Sequence, residues 1–303
     1  MARFVRGLSM RDVESLCEEA GLGKLSKSTA SRICQELRER FEQLGRRDLY
    51  GVGLALFLDA IFLNVRPKGP KEGVLCAWGF TEQGERVLVG VCLGMRESHE
   101  DWLSLARDLI ARGLGAPMLV VADGAPGLIK AVEQCWPSSD RQHCSVHRAR
   151  NLMAKLPEQE RERVRRAYWK ALDEAKHERD GRERLAALVA ELERAGYASA
   201  ARCLADDLDA LVAHLRYPLR HRKRWRSTNL LERTLGEVKR RTKVIGRFPG
   251  EESCLSLVWA VLDLQINNTC NGVKLSDIDR QKLYQLRHEP AESEAEQKEV
   301  VAA

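Results

Sequence analysis

The chain has 303 residues, 44% hydrophobic and 31% charged, with 50 Lys and Arg against 44 Asp and Glu and a formal net charge of +6. That balance excludes a disordered or fibrous chain, and the length supplies a core without staples. The most apolar stretch, 51–65, is broken by Asp59 and Asn64, so no membrane span is expected. The start lacks an apolar signal segment, and nine scattered cysteines show no disulfide rhythm, so a reducing cytoplasm is the expected location.

The elements follow in chain order. Residues 8–46 read as helices: Ser9 caps one over 10–19, Gly21 to Ser26 interrupt, and a second runs through Ile33, Leu37 and Phe41. The pair has the form of a helix-turn-helix half, a pattern that ordinary helical hairpins share. Three strands are expected at 52–65, 73–80 and 85–93, separated by turn-rich RPKGPKE and TEQGE. Near-continuous apolar content in the first and third predicts central strands covered on both faces. A helix over 99–112, a strand over 117–122, a helix over 127–135 and a strand over 141–144 follow. The order predicts a mixed sheet with helices packed on it, an α/β fold. From 147 to about 224 the chain is charged and helical, an insertion rather than a second sheet, and the final helices are expected at 229–242 and 251–268. The expected divisions are 1–48, helical; 49–147, first part of a core; 148–224, insertion; 225–285, second part of the core; and 286–303, a disordered acidic tail.

Charge is concentrated. Residues 216–247 carry 12 Lys and Arg against two acids, Glu232 and Glu237. Such a segment is the electrostatic footprint of a phosphate backbone, although a solvated helix face gives the same composition. The candidate DNA contacts are Arg222, Lys223, Arg224, Arg226, Arg233, Lys239, Arg240, Arg241, Lys243 and Arg247. Trp225, between two arginines, either stacks on a base or anchors the core.

Asp59 stands in the middle of the most apolar strand, where an unpaired carboxylate is costly. Hydrogen bonds or a pair with Arg66 would compensate it, but a metal or catalytic role is the stronger reading. Asp123 ends a strand just before Gly124, at the sheet edge where α/β proteins place their chemistry, and a helix cap is the alternative. If the two strands are neighbours, the carboxylates repel unless a divalent cation lies between them, and oxygen-only ligands favour Mg2+ or Mn2+. Glu232 is the third acid; Glu237, five residues later, points to another side of its helix. Cys144 and His147 form a C-x2-H pair beside His143, too few ligands for a structural zinc site.

LFLDAIFLNVR, VADGAPGLIKAVEQCWP, RQHCSVHRARNLMAKLP and STNLLERTLGEVKRRTKVIGRFP together resemble the Mutator-type transposases of bacterial insertion sequences. FVRGLSMRDVESL and LSKSTASRICQEL are similar to the segment preceding that family's catalytic domain, and the resemblance covers nearly all of residues 4–270. It implies a ribonuclease-H-like core with a helical insertion before the catalytic Glu, and an Asp59–Asp123–Glu232 triad. The separations, 64 residues between the two Asp and 109 from Asp123 to Glu232, fit that arrangement. It further implies Mg2+- or Mn2+-dependent strand cleavage and strand transfer, double-stranded DNA (transposon ends and target) as partner, and self-association. Cys144 and His147 would lie close to the active site. The family's N-terminal portion is longer, so the resemblance also implies a shortened N-terminus. A truncated, non-autonomous protein acting as a DNA-binding repressor, or a nuclease of the same fold, are the competing expectations.

Overall fold

The computed structural model describes residues 27–66, 69–94, 96–243, 248, 250–268 and 272–288. The expected helix over 10–19, Arg247, and the tail from 289 lie outside them.

Five strands form one sheet: β1 (Ala55–Leu63), β2 (Glu72–Phe80), β3 (Arg86–Gly94), β4 (Leu119–Ala122) and β5 (Asp140–His143), in the order β3-β2-β1-β4-β5. The first three run antiparallel to their neighbours, whereas β4 lies parallel to β1, and β5 to β4. With helices on both faces, this is the mixed sheet of a ribonuclease-H-like core.

β3 is therefore an edge strand, not a central one. Its apolar run has a different cause: α11 (Glu251–Asn268) covers one face of it and α2 (His99–Ala111) the other. The alternation of side chains in β1 sorts the two faces. Leu56 and Leu58 pack under α2 and α3 (Pro126–Cys135), together with Leu75, Trp102 and Leu128. Ala55, Phe57, Ile61 and Leu63 point the other way, toward α1 (Lys27–Gly45), α10 (Asn229–Thr242) and α11. Leu37 and Leu44 seat α1 in that same core, so this helix is part of the packing of the sheet. α2 begins where Ser98 accepts from the Asp101 N–H and Asp101 accepts from the Ser98 N–H, a capping box.

The chain between β5 and α10 is entirely helical: α4 (Ser145–Ala154), α5 (Glu158–Asp173), α6 (Glu178–Arg194), α7 (Ala198–Ala205), α8 (Leu208–Val212), a 3-10 turn (Ala213–Arg216) and α9 (Leu219–Trp225). It has its own core, built from Leu152, Tyr168, Leu185, Leu192, Leu204, Leu211 and neighbours. Arg216 and Tyr217 tie it to the sheet through Asp140 on β5. A last helix, α12 (Asp277–His288), has no counterpart among the expected elements and runs two residues past the expected start of the tail. No helix of the described residues is long and apolar enough to cross a membrane.

Leu152 is fully buried where α4 meets the insertion. Leu152→Ala should cost about 2–5 kcal/mol in chemical denaturation. A loss under about 1 kcal/mol would show that α4 is not anchored through this side chain.

Candidate active site

Asp59 occupies β1 in the series Phe57–Asp59–Ile61, so the pleat directs it into the face covered by α10. It is 8% exposed. Oδ1 accepts from the Ala60 N–H at 2.8 Å, and Oδ2 has no hydrogen-bond partner. Arg66, a possible partner by sequence, pairs with Glu72 instead. Burial raises the Asp59 carboxyl to about 6, despite the opposing charge of His147.

β1 and β4 are neighbours, and their ladder ends at Phe57 opposite Val121. Asp59 and Asp123 each lie two residues further on, at the same level of the sheet edge. Asp123 Oδ1 accepts from the Ala125 N–H at 3.1 Å, which braces the turn into α3, so this carboxylate shapes the loop. Gly124 has a steric reason: a Cβ there would lie 2.1 Å from Cε1 of the buried His143. His143 is in turn held between Arg148 and Asp207.

Glu232 comes from the first turn of α10, and His147 from the first turn of α4. Cys144, the residue before α4, accepts from the N–H and the hydroxyl of Thr228, the residue before α10, both at 3.4 Å. This contact holds the two helix starts together. His147 Nε2 donates to Glu232 Oε1 at 2.8 Å. Arg150, one turn along α4, donates to Oε1 at 2.9 Å and to Oε2 at 2.8 Å. The hydrogen bond to His147 leads in depressing Glu232 to about 2, against the opposing effect of burial and with help from Arg150. Burial alone would keep His147 neutral, but contact with the Cys144 thiol and the Glu232 bond outweigh it and raise the imidazole to about 10.

The tightest group of metal-capable ligands among the described residues is thus Asp59, His147 and Glu232, whose ligand atoms all lie within 4.8 Å of one another. It differs from the expected Asp-Asp-Glu set by His147, whose Nε2 is engaged with Glu232 Oε1. A further carboxylate had no signal in the sequence. Glu97, in the loop between β3 and α2, holds a left-handed backbone at φ 56°. Burial and the charges of Asp123 and Asp59 raise it to about 7. A non-glycine residue in that region carries local strain of a kind that clusters at functional sites.

The basic segment divides. Arg233, Lys239 and Arg240 lie exposed on α10, and Lys243 is exposed just after it. Arg240 and the buried Arg241 both pair with Glu237. Arg222 donates to the Tyr217 and Lys176 carbonyls, and Arg224 to that of Gly272. Arg226 pairs with Asp173 and lies over the Trp169 ring, while exposed Lys223 reaches the same Asp173 at 4.0 Å. Trp225 is fully buried, stacked on His221 and edge-on to Tyr217, so it is a core anchor and not a base-stacking platform.

The family described as "Transposase, Mutator family" matches residues 1–270. The chain belongs to that family. It is 33% identical over 267 residues to the transposase for insertion sequence element IS6120 of Mycolicibacterium smegmatis, covering 86% of this chain and 81% of the relative. It is 35% identical over 283 residues to that for IS1081 of Mycobacterium tuberculosis, covering 89% of this chain and 65% of the relative. To the transposase for IS256 in transposon Tn4001 of Staphylococcus aureus it is 29% identical over 263 residues, covering 86% and 67%. In this Mutator-family chain the expected Asp59 and Glu232 converge, Asp123 is level with Asp59, and His147 and Arg150 complete the cluster.

The two pKa shifts set opposite pH edges. The raised His147 stabilises fully below its ordinary value of 6.5, and that contribution is lost as pH rises through about 10. The depressed Glu232 stabilises above its ordinary 4.5, and that contribution is lost as pH falls toward about 2. In NMR titration His147 should remain protonated at pH 8, and Glu232→Gln should lower its pKa. A His147 that titrates near 6.5 in both proteins would contradict the pair.

Proposed function

We propose that this chain carries out transposase chemistry on double-stranded DNA: strand cleavage at a transposon end, then attack of the freed 3′-hydroxyl on target DNA. The carrying observation is Asp59, an over-nine-tenths buried carboxylate with one unpartnered oxygen that faces Glu232 and lies level with Asp123. An apolar strand keeps such a group at a cost, and a bound cation would offset it.

The donor set fits a hard divalent ion. Asp59, Asp123 and Glu232 would hold Mg2+ or Mn2+ through oxygen, while His147 Nε2 is engaged by Glu232 and the Cys144 sulfur by Thr228. Bound there, such ions supply charge neutralisation at the phosphate and a more acidic water or 3′-hydroxyl. The protein's own part is orientation. The Cys144–Thr228 contact fixes the helix starts, His147 aims Glu232, and the Asp123 turn is seated on His143 through Gly124. Because cleavage and transfer are both in-line displacements at phosphorus, one arrangement serves both. Transposition on paired ends also calls for self-association of the chain.

For Asp59→Asn we expect loss of Mg2+- or Mn2+-dependent cleavage of end DNA, with DNA binding retained and thermal stability equal or higher. The stability sign follows from the raised carboxyl, whose ionisation disfavours the fold. Undiminished cleavage would overturn the catalytic assignment. Wild-type protein that binds but never cleaves would favour a repressor, and cleavage without joined donor–target product would favour a nuclease.

The exposed residues of α10, with Lys243 just after it, are the proposed backbone contacts. Lys239→Ala plus Lys243→Ala should weaken binding about equally across sequences and lower the salt slope by about 2. An unchanged slope would place DNA elsewhere. Arg241→Ala, by contrast, should act through stability, because Arg241 is buried against Glu237.

A further inference from the structure

We propose that Arg150 is a DNA-released latch: its guanidinium holds both oxygens of Glu232 until a DNA phosphate draws it off and frees the carboxylate to ligate a divalent ion. The inference rests on the metal-site reading above and adds a residue that couples DNA binding to metal binding.

The geometry is that of a fork on a fork. Arg150 Nη1 and Nη2 reach Oε1 and Oε2 of Glu232 at 2.9 and 2.8 Å, while His147 takes a second position on Oε1 at 2.8 Å. A carboxylate offers about four lone-pair sites on its two oxygens, and here three are engaged. A divalent ion bound to Glu232 needs one of those oxygens, and it would meet a guanidinium at van der Waals range. One site on Oε2 remains, and an ion there would lie against the guanidinium, so fork and ion oppose each other by charge and crowding.

His147 and Arg150 are not equivalent in this respect. The His147 side chain is 23% exposed and its ring is fixed in the first turn of α4 beside Cys144. The Arg150 side chain is 59% exposed, on a long flexible stem, and among the described residues makes no hydrogen bond except those to Glu232. Glu232 is the more buried end of the pair and Arg150 the exposed one, so an incoming phosphate reaches the guanidinium from solvent and can offer it an equivalent anionic partner. The guanidinium binds phosphate with the same bidentate geometry it uses on carboxylate. Exposed Arg233 adjoins Glu232 on α10, so a backbone drawn to this helix arrives at the latch. His147 stays on Glu232 throughout and keeps it aimed, leaving Oε2 open.

The consequence is reciprocal coupling. DNA should tighten divalent-ion binding, and the ion should tighten DNA binding by the same factor. The probe is Mn2+ binding, followed by EPR or calorimetry, with and without a short duplex of arbitrary sequence. For the wild type, DNA should lower the Mn2+ Kd on the order of tenfold. In Arg150→Ala the DNA-free Kd should fall toward the DNA-bound wild-type value, and the DNA-induced ratio should shrink to about twofold or less. Simple loss of one positive charge would strengthen Mn2+ binding with and without DNA alike and leave the ratio intact. An intact ratio therefore overturns the latch. Arg150→Lys, which keeps the charge but not the fork, should give an intermediate ratio. Asp59→Asn separates the two claims. If it binds Mn2+ like the wild type, the metal-site reading fails. If it loses Mn2+ while Arg150→Ala keeps the full ratio, only the latch fails.

Discussion

A buried carboxylate in an apolar strand is the constraint on which the rest of the site depends. Replacing Asp59 with an aliphatic residue would complete the Phe57–Ile61 face of β1 and remove an uncompensated oxygen from the core. The strand holds it in a costly form, with its carboxyl raised to about 6. Both positive and negative groups surround it. The N-termini of α4 and α10 both point their first turns at this region, and each carries a partial positive charge. His147 and Arg150 add full charges. Glu97 and Asp123 add negative ones, so the cluster has more acid than its own cations balance, which is the electrostatic condition that attracts a divalent ion.

The sheet order explains how residues far apart in the chain meet. β1 lies between β2 and β4, so the parallel β1–β4 pair brings Asp59 and Asp123 level although 64 residues separate them. Glu232 arrives after the whole helical insertion. A polar contact spans the insertion there, because Cys144 precedes α4 on its near side and Thr228 precedes α10 on its far side. Arg226 strengthens that closure: its carbonyl accepts from the Ser145 N–H at 2.9 Å while its guanidinium binds Asp173. Several basic residues just before α10 therefore close the insertion onto the core, while Arg233 and Lys239 lie exposed on the helix itself.

Much of this was legible in the sequence. The strands and the helices α2, α3, α10 and α11 lie within three residues of their expected bounds, because most are apolar or amphipathic runs flanked by Gly, Pro or a cap. Asp59 was legible as a charge where the pattern demands a hydrophobe, and Glu232 as an acid among bases. β3 was misplaced because apolar content reports coverage on two faces, and helices cover an edge strand as well as neighbours cover a central one. Residues 222–226 read as a DNA face because composition counts charges and not their partners. The bonds of Arg222, Arg224 and Arg226 to Lys176, Gly272 and Asp173 span roughly fifty positions each, a separation that local pattern does not register. Glu97 was invisible for a related reason: nothing marks one loop glutamate until the fold bends it into the left-handed region beside two other acids.

The place of His147 follows from the same bookkeeping of charge. A neutral histidine beside Asp59 and Glu232 would be a third metal ligand, and the site would lean toward metals that accept nitrogen. Raised to about 10, His147 instead favours the charged form, a cation that offsets part of the acid cluster. Its state is set by Cys144 and Glu232 acting together against burial. The C-x2-H spacing thus has a physical reason that requires no zinc. One helical turn puts the thiol under the imidazole, the thiol also binds the start of α10, and the imidazole reaches the carboxylate that α10 carries. One motif thus positions Glu232 from both sides of the insertion, through the thiol on Thr228 and the imidazole on the carboxylate.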